Sequence, residues 1–180
     1  MAYGYGKGLE QLILYANDQY RSRELADIQK IPVPTVVDRE TGKGFRNEKS
    51  IVDFIGFYRH KELIDGKSIK VFKPVAFDSK ETRKTTRFDL SGIYEHQYQY
   101  LKFRYQMGTE AFLIINFVEY DRYYRLDFPL LEKAWEGWKN GEGVNEYSNI
   151  ASIPYEWFEK HLTPLKSKNG ITLDYLKLMN

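Results

Sequence analysis

Residues 111–117, AFLIINF, run almost wholly apolar, without the alternation of a half-solvated strand. A strand with no polar face is buried on both, so this one is predicted to be central in a sheet covered on each side. The blocks around it can supply the layers. GLEQLILYANDQYRSR (8–23) spaces Leu9, Leu12, Ile13, Ala16 and Tyr20 along one helical face. IYEHQYQYLKFRYQMG (93–108) gives a second stripe through Ile93, His96 or Gln97, Tyr100, Leu101 and Tyr105, ending at Gly108. PLLEKAWEGWKNG (129–141) is a third helix, with Trp135 and Trp138 on or near its apolar side. Strand formers dominate SIVDFIGFY (50–58), SIKVFKPVAFDSK (68–80) and YYRLDF (123–128). The first two are separated by a polar turn segment, RHKELIDGK, and the third pairs with 111–120 across a turn at Asp121 and Arg122. IPYEWFEKHL and ITLDYLKLMN complete the tail, after a loop over NGEGVNEYSN. The predicted class is α/β, a central mixed sheet flanked by helices, in a single domain over 1–180.

Between the first helix and the first long strand, LADIQKIPVPTVVDRETGKGFRNEKS combines short β-prone runs, two prolines and a TGKG turn, the pattern of a hairpin arm over 31–49. Composition narrows the chemistry further. The chain has no cysteine, which excludes disulfides, thiolate metal sites and a cysteine nucleophile. No apolar run is long enough to span a bilayer, and the N-terminus lacks a secretory pattern, so a soluble, cytoplasmic protein with no membrane partner is expected. The net charge of +2 does not by itself announce nucleic acid; any basic face must be local. The fifteen tyrosines fall mostly inside apolar elements and read as core rather than as base-stacking platforms.

Asp53 interrupts a run of strand formers, and Asp78 ends another with Lys80 two residues on. Alternation puts Asp78 and Lys80 on one face of a strand and Ser79 on the other. Taken alone, the pair reads as a surface salt bridge of little consequence. A hairpin joining the two strands, however, brings Asp53 beside Asp78, and two neighbouring carboxylates need positive charge between them. Mg²⁺ or Mn²⁺ favours such hard oxygen donors, and a lysine beside them can stabilise a crowded phosphate. The set suits phosphodiester hydrolysis.

In this arrangement the sequence resembles the PD-(D/E)XK nucleases, and within them the RecU-type Holliday junction resolvases. The resemblance runs in order through GKGLEQLI, KIPVPTVV, KSIVDFIGFY, VAFDSKET, IYEHQYQYL, GTEAFLIINF, YYRLDF, SIPYEWFE and LDYLK. It implies a restriction-endonuclease-like fold in which 31–49 is a protruding stalk that enters the centre of a four-way junction. Asp53 and Asp78 match the metal-binding acids, with the Ser79 backbone carbonyl as a further metal ligand. Lys80 matches the lysine that orients or activates the attacking water. Glu10 matches an acid on the first helix that completes the metal environment, and Gln97 a residue that positions substrate or closes the site. His96, beside it, lacks a matching histidine partner for a general-base role. Two departures stand out: Asp78 is one methylene shorter than the family's more usual Glu, and RHKELIDGKSIKVFKP is longer than close relatives place between the two acids, extending the hairpin.

The expected DNA contacts are Arg83, Lys84 and Arg87 after the motif, Lys7 before the first helix, and Arg39, Lys43, Arg46 and Lys49 around the arm. The leading expectation is a Mg²⁺- or Mn²⁺-dependent endonuclease that resolves four-way junctions in recombination and repair, leaving a 5′-phosphate. Symmetric cutting implies a homodimer. Two alternatives stay open: a superfamily nuclease acting on other DNA structures, and a non-catalytic junction-binding accessory protein.

Overall fold

The computed structural model describes residues 8–32, 35–37, 44–46, 51–141 and 151–177, the two short stretches by backbone alone. Helix α1 (Gly8–Ser22) is followed by β1 (Ala26–Lys30), the short strands β2 (Thr35–Val37) and β3 (Gly44–Arg46), and the long strands β4 (Phe54–Ile64) and β5 (Lys67–Thr82). Then come β6 (Arg87–Asp89), α2 (Glu95–Gln106), β7 (Glu110–Phe117), β8 (Arg122–Asp127), α3 (Phe128–Lys139), β9 (Ser152–Pro154) and α4 (Tyr155–His161). The main sheet has the order β1-β4-β5-β7-β8, mixed because β5 and β7 run parallel while the other neighbours are antiparallel. A parallel pair needs a crossover. Here it contains α2, which packs against β5 and β7.

Two cores lie on opposite sides of this sheet, and β7 shows why the central sequence has no polar face. Its Phe112 and Ile114 join Leu9, Ile13, Ala16, Phe54 and Phe77 under α1. Its Leu113 and Ile115 join Tyr98, Leu101, Leu131, Trp135 and Phe158 under α2, α3 and α4. The middle position itself belongs to β5, one place over from the strand expected there. The segment after α4 has little regular structure, yet it seals the α1 layer with Ile171, Leu173, Tyr175 and Leu176. The buried Tyr20 hydroxyl fixes it, donating to Asp174 Oδ1 at 2.6 Å and accepting from the Tyr175 N–H at 2.9 Å.

Three boundaries differ from the sequence reading. RHKELIDGK is not a turn segment: β4 and β5 stay paired through it to Ile64↔Lys67, and only Asp65 and Gly66 turn, both at positive φ. An Asp-Gly pair is well suited to that two-residue hairpin turn. Asp53 lies in a bend just before β4 rather than inside the strand, its carbonyl accepting from the Ile31 N–H at 2.8 Å. β6 and β9, unforeseen as strands, form a two-stranded sheet of their own. The expected hairpin in the arm is present as β2 paired with β3, separate from the main sheet.

Candidate active site

The β4–β5 register sets the site. Phe54 pairs with Phe77, and the next residues beyond that pair are Asp53 and Asp78. Asp78 is 1% exposed, on the side of the sheet covered by α2. Lys80, two residues along on the same face, brings its ammonium 2.7 Å from Asp78 Oδ2, too poorly aligned for a hydrogen bond to that oxygen. Burial pushes the Asp78 carboxyl up to about 7; the Lys80 charge opposes the shift, and the neighbouring Asp53 adds to it.

The start of α2 completes the arrangement. Gln97, 6% exposed, accepts from Lys80 Nζ at 2.9 Å and donates through Nε2 to Asp78 Oδ1 at 3.3 Å. Its Oε1 also accepts from the Tyr94 N–H at 3.3 Å, the reach-back half of a capping box, so the residue that starts the helix also ties Lys80 to Asp78. The Tyr94 ring lies 5.8 Å from the Lys80 ammonium and stacks on His96, which is exposed. On the other strand, Asp53 Oδ2 accepts from both the Ser79 N–H at 2.9 Å and the Ser79 hydroxyl at 2.6 Å. Ser79 therefore holds Asp53 in place, a role that strand alternation did not suggest.

The other expected residues are distributed more widely. Glu10 is on the first turn of α1 but forms an ion pair with Lys30 of β1. Among the described residues no three His, Asp or Glu side chains gather to hold an ion, and Lys30, which holds Glu10, is in register with Phe54 beside Asp53. The acid that does join α1 to the site strand is Glu81, whose Oε1 accepts from the Leu9 N–H and from Asn116 Nδ2, each at 3.2 Å. It immediately follows Lys80 in the motif, and alternation alone puts it on the α1 side with Ser79. Lys84 and Arg87 share one carboxylate and so keep a net charge of +1 between the three groups. Both pair with Asp89, and although burial works the other way, their bonds hold that carboxyl below its usual range. Arg83 is exposed. Lys7, Arg39, Lys43 and Lys49 lie outside the described residues, as does the side chain of Arg46.

A five-stranded mixed sheet flanked by helices, with an Asp-x-Lys motif on its middle strand facing an aspartate at the start of the neighbouring strand, defines a restriction-endonuclease-like protein. The family model described as Recombination protein U matches residues 4–180. The chain is 32% identical to the Holliday junction resolvase RecU of Oenococcus oeni, covering 95% of this chain and 82% of the relative. It is 30% identical to the protein of that name from Staphylococcus saprophyticus and 28% identical to the one from Staphylococcus aureus, with 95% and 83% covered in both cases. The chain belongs to the RecU family.

Membership implies a divalent metal ion, and the residues fit one. Two acidic side chains lie side by side, and Oδ2 of the buried Asp78 has no aligned hydrogen-bond donor. The donor atoms are hard oxygens, and two neighbouring like charges, one of them buried, are relieved by a cation. Among the described residues no helix is long and apolar enough to cross a membrane.

Proposed function

We propose that this protein is an endonuclease that resolves four-way (Holliday) DNA junctions in recombination and repair by metal-dependent phosphodiester hydrolysis. The observation that carries the chemistry is the buried Asp78, with Lys80 at 2.7 Å and Asp53 beside it. The name shared by the relatives supplies the substrate. In this reading Asp53, Asp78 and the Ser79 carbonyl hold Mg²⁺ or Mn²⁺. The bound ion supplies Lewis acidity and a lower pKa for water. Lys80, steadied by Gln97, orients the attacking water and offsets charge that builds on the phosphate. Ser79 keeps Asp53 in place, and burial keeps Asp78 poorly hydrated and ready for a cation.

DNA is held by the exposed Arg83, by Lys7 ahead of α1, and by Arg39, Lys43, Arg46 and Lys49 in the arm, which enters the junction centre. Lys84 and Arg87 contribute less than their charge suggests, since Asp89 already pairs with both. Two like strands are cut symmetrically by two copies of the chain, so the working form is a homodimer acting in the cytoplasm. The test is a comparison of cutting rates on a four-way junction, a linear duplex and a flap with the same sequences. Preference for the junction supports the proposal. Equal rates would assign the protein to the wider class of nucleases instead, and junction binding without cutting would make it an accessory protein.

A further inference from the structure

Beyond Arg59 the β4–β5 hairpin leaves the sheet. β1 pairs with β4 only as far as Ala26↔Tyr58, and β7 meets β5 only from Val75 onward, while β4 and β5 continue together to Ile64↔Lys67. At about 3.3 Å per residue, the six residues from Arg59 to Ile64 extend the ribbon roughly 20 Å. Residues 59–73 contain five Lys or Arg against two acids, a net +3, whereas the whole chain is +2. The rest of the chain is thus slightly acidic, and its excess positive charge lies on this ribbon.

One face of the ribbon is arranged for an anion. Lys61 and Lys70 are directly opposite in the register, both are exposed, and neither forms an ion pair with a carboxylate among the described residues. Like charges directly across a strand pair destabilise it. A ligand carrying negative charge would remove that cost. On the same face, Leu63 is 76% exposed on the tip side and Phe72 66% exposed on the root side. Lysines at a free strand edge can serve only to prevent edge-to-edge pairing. Exposing Leu63 and Phe72 beside them works against that purpose. The root is less suitable for phosphate, since Glu24 and Asp27 line the hollow of about 300 Å³ beside Phe57 and Phe72, and Glu24 is 3.9 Å from Arg59.

We propose that the outer half of this ribbon is a second DNA-docking element, placed in a groove of a duplex arm, with Lys61 and Lys70 on phosphates and Leu63 against sugar or base edges. A two-stranded ribbon fits the major groove of B-form DNA. The inference rests on the junction-resolving reading above and adds to it a contact separate from the cutting site, on a different stretch of the chain from the arm at 31–49.

The test compares the full chain with the Lys61→Gln/Lys70→Gln double variant in binding and cutting a long-armed four-way junction across a salt series. The double variant is expected to bind about tenfold more weakly near 0.15 M salt, with its log–log salt slope reduced by about 2, close to 0.9 per lost phosphate contact. Cutting at saturating DNA is expected to be unchanged. Equal affinity and slope in the two proteins would overturn the ribbon proposal while leaving the resolvase reading intact. A wild-type chain that binds no DNA would overturn both. A Leu63→Ser/Phe72→Ser variant provides the control for self-association. If it changes the oligomeric state in sedimentation but leaves DNA affinity untouched, the ribbon joins copies of the chain and the proposal fails.

Discussion

Gln97 accepts a hydrogen bond from Lys80 Nζ at 2.9 Å and donates one to Asp78 Oδ1 at 3.3 Å, so one amide at the start of α2 fixes a cation and a buried acid together. In Gln97→Ala both groups lose their shared partner, and Lys80 can turn towards solvent. Cutting at saturating junction is expected to fall about 10- to 100-fold, while junction affinity changes less than about threefold, since positioning costs appear in the rate. Single-turnover cleavage and a binding titration check it. Equal losses in rate and affinity would mean that Gln97 serves DNA binding instead.

Asp78 gives the metal-free protein a pH dependence with a definite sign. Its folded pKa is raised to about 7 from an ordinary value near 4, chiefly by burial. Between those limits the folded protein keeps a proton that the unfolded chain releases, so the contribution of this group to stability is greatest at the acid end and is lost as pH rises to about 7. At roughly 1.4 kcal/mol per pH unit, the loss from this group is on the order of 4 kcal/mol. Asp78→Asn is therefore expected to be more stable than the parent in chelator at pH 8, with the difference shrinking towards pH 4, and to be inactive. Urea melts at the two pH values check it. A variant less stable than the parent at pH 8 would contradict the assignment of a buried ionised acid.

Gly56 lies where β1 and β4 pass closest. A Cβ there would stand 2.2 Å from the Asp27 carbonyl oxygen and 2.6 Å from Ile28 Cα, both backbone atoms that cannot rotate away. Gly56→Ala is expected to cost roughly 2 kcal/mol or more, by forcing the edge strand off the sheet. Thermal unfolding measures it, and a melting temperature equal to the parent's would show that the strands separate at little cost.

Asp89 pairs with both Lys84 and Arg87 and offsets one of their two charges. Removing it in Asp89→Ala frees two cations, and junction binding is expected to tighten about 3- to 10-fold at low salt, with a steeper salt dependence. An unchanged slope in a salt series would place those cations away from the DNA path.

Much of this site was readable in the sequence because strand periodicity transmits position directly. Asp78 and Lys80, two residues apart, had to share a face, and they meet at 2.7 Å. AFLIINF had to be buried on both sides, and its residues alternate between two cores. What sequence did not disclose depends mostly on contacts distant along the chain. The Ser79 hydroxyl turning to Asp53 and Lys30 pairing with Glu10 are each set by how separate segments meet, whereas Asp89 pairs with Lys84 and Arg87 within one short stretch, where the sequence left all three side chains open. The polar stretch RHKELIDGK reads as a loop on composition, yet cross-strand pairing continues through it. Local preference gives way there to an Asp-Gly turn that holds the register.

The most direct measurement is cleavage of an end-labelled four-way junction with Mg²⁺, by the wild-type chain and by Lys80→Ala. Paired symmetric cuts by the wild type, reduced at least about a thousandfold in the variant while junction binding persists, are the expected result for a lysine at the reacting phosphate. Cutting by Lys80→Ala at the wild-type rate would contradict the placement of the chemistry at Asp53, Asp78 and Lys80.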